Sequence, residues 1–195
     1  MRRRTFDTLV SVGGLILAVV LAVAGGLLLW GHSFASNQVT SQLAAQKIVF
    51  PTTSNAEFKA LPAADAAAMG QYAGQPLTTG AQAKVYADNF IAFHLSKMGG
   101  TYSQLSTESL AQPNNAKLAA LTETVFKGTT LRSMLLEAYA FWEFGQIALV
   151  AAIVSFIGAG LMLILSVLGL LHARFTSPGA ELLSGHGTQK APAAS

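Results

Sequence analysis

"LVSVGGLILAVVLAVAGGLLLW" runs from Leu9 to Trp30, 22 residues without a charged side chain. A second run, "FGQIALVAAIVSFIGAGLMLILSVLGLL", covers Phe144 to Leu171, 28 residues and again no charge. About 20 apolar residues in a helix cross the hydrocarbon core of a bilayer, so both runs are long enough to span it. A helix apolar on every side has no face to offer water. The expected fold is therefore mostly α: two antiparallel transmembrane helices with a small helical extracytoplasmic domain between them. Composition agrees, with 52% hydrophobic and 11% charged residues, where a soluble domain carries about a quarter charged.

The spans divide the chain into a basic tail (1–8), a first span (9–30), a middle domain (31–143), a second span (144–171) and a closing tail (172–195). The middle domain holds seven Lys/Arg against seven Asp/Glu, so the net charge of +3 comes from the tails. Arg2, Arg3 and Arg4 stand against Asp7 at one end, Arg174 and Lys190 against Glu181 at the other. Basic residues beside a span stay on the cytoplasmic side. The expected location is a bacterial plasma membrane, with both termini cytoplasmic and the middle outside. The basic balance is then a topology signal, and no nucleic-acid partner is expected: the middle domain has no basic run with interleaved aromatics. The chain has no cysteine, which excludes disulfides, thiol catalysis and cysteine-ligated metal.

"MRRRTF" before an apolar run also describes a secretory signal, with a cleavage point after Ala35. The run is longer than the usual signal core of about 7–15 residues, so a retained anchor is expected. The middle domain lies outside on either reading.

Small residues recur along both runs. Gly14, Ala18, Ala22 and Gly26 stand four apart on the first, and Ala151, Ser155 and Ala159 on the second. Such ridges let helices approach closely where lipid supplies no hydrophobic drive. These seven residues are the expected helix-packing positions, and Trp30 and Trp142 the expected membrane-interface anchors.

Between the spans the pattern predicts helices and loops. "HSFASNQVTSQLAAQKI" extends the first span until Pro51 and the Thr/Ser cluster after it. A short helix starts at Pro62 and stops at Gly74. Thr78 or Thr79 caps a helix ending at Gly99-Gly100. On it Ala83, Tyr86, Phe90, Phe93 and Lys97 share one apolar face, and Lys84, Asp88, Ala92 and Ser96 face water. His94 beside the phenylalanines reads as a hydrogen-bonded packing residue. "TYSQLSTESLAQPNN" reads as a loop with at most one short turn. Asn114 or Asn115 caps a helix with Leu118, Leu121 and Val125 as its stripe, stopped at Gly128. Thr129 or Thr130 starts a last helix that runs into the second span, with Leu131, Leu135, Ala138, Trp142 and Gly145 as its seam. The closing tail, rich in Pro, Gly, Ser and Ala, reads as disordered.

The four histidines, His32, His94, His172 and His186, show no metal-ligand spacing. No phosphate loop and no nucleophile elbow is present. Glu137 and Glu143 read as solvated carboxylates near the outer surface. Neither span carries an ionisable group of the kind transport pathways use at depth. No catalytic, cofactor or metal residue is assigned, and no cofactor is expected.

At "YAGQPLTTGAQAKVYADNFIAFHL" (72–95), "GTYSQLS" (100–106) and "KGTTLRSMLLEAYAFW" (127–142) the chain resembles actinobacterial two-span membrane proteins of unknown function. The resemblance implies an anchor, an external domain and a closing span, and brings no ligand or catalytic residue. The expected function is non-enzymatic: an accessory or scaffolding subunit of a cell-envelope or respiratory membrane complex. Its expected partners are the lipid bilayer and another membrane protein or a second copy of the chain. The competing expectation is an extracytoplasmic sensing module that binds a lipid or small ligand.

Overall fold

The computed structural model describes residues 3–175, with side chains from residue 5 onward. The chain is mostly helical: α1 (Arg3–Ala45), α2 (Ala56–Lys59), α3 (Ala63–Gly70), α4 (Gly80–Val85), α5 (Ala92–Ser96), α6 (Tyr102–Ala111) and α7 (Ala116–Phe175). Residues Tyr86–Ile91, between α4 and α5, form a π-helical segment. Among the described residues there is no strand, only an isolated antiparallel bridge between Val49 and Pro76. α1 and α7 each contain a stretch long and apolar enough to cross a membrane.

The chain divides into two compact units. One holds the chain through Leu29 and from Leu149, and the other is Trp30–Ala148. The closing tail expected from residue 172 is helical as far as Phe175; the rest of that expectation lies outside the described residues.

The core of the second unit is built from short pieces. Phe50, Met69 and Leu77 are its fully buried large side chains. Around them lie Val39 and Leu43 of α1, Ala83, Ala87 and Ile91 of the α4–π–α5 run, and Leu135 of α7. α1 ends before Pro51, at Ala45, in a turn where Lys47 has φ +52°. α2, which the sequence pattern did not indicate, is capped by Asn55, whose Oδ1 accepts from the Glu57 N–H at 2.8 Å. α3 follows Pro62 as expected but closes at Gly70. Gly74 then takes φ +73°, which a residue without Cβ adopts at little cost, and turns the chain toward the Val49 bridge.

Three expectations are corrected. The stretch after Gly100 is not a loop: α6 starts with a capping box, in which Thr101 Oγ1 accepts from the Gln104 N–H and Gln104 Oε1 accepts from the Thr101 N–H at 2.9 Å. Satisfying two orphan donors at once is enough to start a helix the apolar pattern did not show. Nor does a helix stop at Gly128, since α7 passes through it unbroken. Glycine inside a helix costs about 0.5–1 kcal/mol relative to alanine, but here it makes room. A Cβ at Gly128 would lie 2.8 Å from Leu95 Cδ2. The stripe Leu118–Leu121–Val125 does form a second small core, with Leu105 of α6.

The third correction concerns the helix after Thr79. Its cap is as expected and is a full capping box with Gln82. The π turn, however, inserts extra backbone, so the buried apolar side chains are Ala83, Ala87 and Ile91. Tyr86, Phe90 and Phe93 flank that line, partly buried. Lys97 is exposed, its ammonium 5.1 Å from the centre of the Phe93 ring.

Candidate functional site

The four small residues expected as a packing ridge on α1 divide in the structure, two against α7 and two exposed. Gly14 and Ala18 do face α7: a Cβ added at Gly14 would collide with Ser166 Oγ, and Ala18 is 5% exposed. Ala22 and Gly26 are exposed, and a Cβ at Gly26 would meet nothing within 4 Å. The reason is helical geometry. At 3.6 residues per turn a strict four-residue step drifts by about 40°, so four such positions walk around the helix. The seam instead alternates steps of three and four: Ser11, Gly14, Ala18, Leu21 and Gly25. Its contacts pair Ser11 with Gly169, Gly14 with Ser166, Leu21 with Gly158 and Gly25 with Phe156. On α7, Ala159 and Ala152 are buried, while Ala151 and Ser155 are half-buried. Ser11 and Ser166, which the ridge reading left out, are buried in this seam, each against a glycine of the facing helix.

In the second unit α1 and α7 continue to touch. Gly145 would place a Cβ 3.0 Å from Ala35 Cβ, and His32 Nδ1 lies 2.9 Å from the Gly145 carbonyl. A carbonyl only accepts, so Nδ1 carries the proton. Leu135, Ala138 and Trp142 lie in or against the core, as their spacing predicted, while Leu131 is exposed. Trp142 backs directly onto Gly80 at the start of α4. The two tryptophans therefore differ: Trp142 packs inside this unit, and Trp30 is 68% exposed and stacks on Phe34 with ring centres 5.7 Å apart.

His94 behaves as a packing residue. Its Nδ1 lies 2.8 Å from the Phe90 carbonyl one turn back, and its ring sits 4.4 Å from that of Phe90 and 5.4 Å from that of Phe93. Asp88 does not face open water. Its Oδ1 accepts from Arg132 of α7 at 2.8 Å and its Oδ2 from Lys84 at 2.8 Å. Arg132 Nε also donates to the Ala87 carbonyl at 3.2 Å. Partial burial pushes the Asp88 carboxyl up, but the hydrogen bonds and charges of Lys84 and Arg132 outweigh it and hold the group below its ordinary value. The same bond and charge raise Lys84. Burial raises the Tyr86 hydroxyl, helped by the Glu57 charge. Among the described residues no group of three His, Asp or Glu side chains could hold a metal ion.

A groove between the second unit's portions of α1 and α7 is the feature that sequence reading missed. It encloses about 530 Å³, within the range of ligand sites. One wall is apolar, with Leu131, Met134, Leu135 and Phe141 of α7. The other carries Gln38, Gln42 and Gln46 of α1, one turn apart, above Val39 and Leu43. Glu137 is the one charged residue among those lining it. The signal was present in part: Leu131 and Met134 continue the apolar character of α7 beyond what the core needs. Comparison with protein families, with curated proteins and with solved structures finds no match.

Proposed function

We propose that the chain is a non-enzymatic two-span membrane protein, an accessory or scaffolding subunit of a cell-envelope or respiratory membrane complex. The spans cross antiparallel, with both termini cytoplasmic and the domain between them extracytoplasmic. The observation that carries this reading is the close-packed seam within two long apolar helices. Its contact pairs rise along α1 as they fall along α7, from Ser11 with Gly169 to Gly25 with Phe156. Small residues at such a seam bring backbones together where lipid offers no competing hydrophobic gain. The placement of Lys/Arg on the two tails supports the orientation. In the middle domain charged side chains are engaged in local scaffolding, Asp88 with Lys84 and Arg132, and Glu123 with Lys127.

The test is extraction of the full chain from bacterial membranes in mild detergent, followed by affinity purification. The reading expects extraction to require detergent and a membrane protein to co-purify in fixed stoichiometry. A chain released by alkaline carbonate, or one that purifies alone at every detergent strength, would overturn it. The groove favours the second reading, a ligand-binding module on the same two spans.

A further inference from the structure

We infer that the groove between α1 and α7 in the second unit binds a single-chain amphiphile whose hydrocarbon tail lies on the α7 wall and whose head group carries an amine. This deepens the ligand-binding reading and rests on the membrane placement proposed above.

The chemistry of the groove lining selects a chain over a helix. A docked helix is about 10–12 Å across and would cover both rims. Here one rim is Gln38, Gln42 and Gln46. Burying three amides without partners would cost far more than the apolar wall returns. A hydrocarbon chain is much narrower. It can lie on Leu131, Met134 and Phe141 and leave the glutamine rim in water. That wall holds apolar surface already exposed to solvent, including Met134 at 61%, which a tail would cover.

Charge decides the head group. Among the described residues no Lys, Arg or His lines the groove, and none of the ion pairs includes Glu137. An anionic head would meet this carboxylate with nothing to offset it, whereas an amine gains a partner. Access follows from sequence position. Phe34 and Phe141 line one end of the groove. They stand four residues after Trp30 and three before Phe144, where the apolar runs end and begin. A lipid-derived chain reaches the groove from that end.

The experiment uses the full chain in phosphatidylcholine nanodiscs. The chain has no native cysteine, so Gln42→Cys on the exposed rim carries an environment-sensitive fluorophore. Three probes of equal chain length are titrated: dodecylammonium, dodecanol and dodecanoate. Saturable responses are expected, tightest for the ammonium and weakest for the carboxylate. Glu137→Gln should bring the ammonium down about threefold to the level of the alcohol, a modest effect because an exposed charge is screened. Met134→Asn, a neutral change at an exposed position, should weaken all three at least tenfold, with helix content and melting unchanged.

An order of affinities that survives Glu137→Gln would overturn the head-group assignment. Equal binding by Met134→Asn, a response that never saturates, or cross-linking of two Gln42→Cys copies with no probe response would overturn the groove as the site. Carbonate extraction scores membrane insertion separately. Protein that inserts but shows no saturable response sinks this inference alone, and protein that fails to insert sinks the membrane reading.

Discussion

Arg132 of α7 clamps the π turn at Asp88: its terminal nitrogen lies 2.8 Å from Asp88 Oδ1 while its Nε donates to the neighbouring Ala87 carbonyl at 3.2 Å. A π turn breaks the regular i→i+4 ladder, and Ala87 O accepts from the Ala92 N–H five residues on. The guanidinium holds that irregular backbone and its carboxylate together from a second helix.

Asp88→Ala should therefore destabilise the Trp30–Ala148 unit. A charged hydrogen bond is worth more than a neutral one, but the Asp88 side chain is 31% exposed and Arg132 38%, so solvent screening brings the cost to about 1 kcal/mol. The contribution also depends on pH. The folded-state pKa is lowered, so the stabilisation is present above the ordinary carboxylate value of 3.8 and is lost as pH falls below it. Melting curves at pH 7 and pH 3 should show the wild-type and Asp88→Ala proteins converging in acid. A variant as stable as wild type at pH 7 would remove the clamp from the account.

Gly80→Ala should be costly although the change is one methyl group. The added Cβ would strike the Trp142 side chain at its Cβ and its ring. Trp142 is attached close to its backbone at that point and cannot swing away. Overpacking of this kind costs about 1–3 kcal/mol. Denaturation in mild detergent measures it, and Gly31→Ala, with nothing within 4 Å, is the matched control.

The seam makes opposite forecasts for two alanines one turn apart. Ala18→Leu should force α1 and α7 apart, whereas Ala22→Leu should be tolerated because Ala22 is exposed. Thermal stability in detergent should fall for the first by an amount corresponding to about 1–3 kcal/mol and stay level for the second. Equal tolerance at both positions would mean that the seam is not packed in the membrane.

Orientation can be read with cysteines, since the chain supplies none of its own. Asn37→Cys and Ser103→Cys, both at exposed positions, should react with an impermeant thiol reagent in intact cells. Ser184→Cys should not. Labelling at Ser184 with protection at Ser103 would reverse the orientation.

What the sequence determined by itself is what depends on neighbours along the chain. The two apolar runs required long helices, since a stretch apolar on all sides cannot turn a face to water. The Thr79 cap, the Asn115 cap on Leu118 N–H at 3.1 Å and the Leu118–Leu121–Val125 stripe are local too, and all are present. Tertiary structure decided the rest, because the same local signal serves different ends. Gly128 resembles a helix stop but accommodates Leu95 from another helix. Ala22 and Ala18 are chemically identical, and only the position of α7 buries one of them. Asp88 lies on what periodicity marks as the wet face, until the π turn and Arg132, 44 residues away, bring it a partner. The groove belongs to neither helix alone: it forms where α1 and α7 lie side by side without filling the space between them.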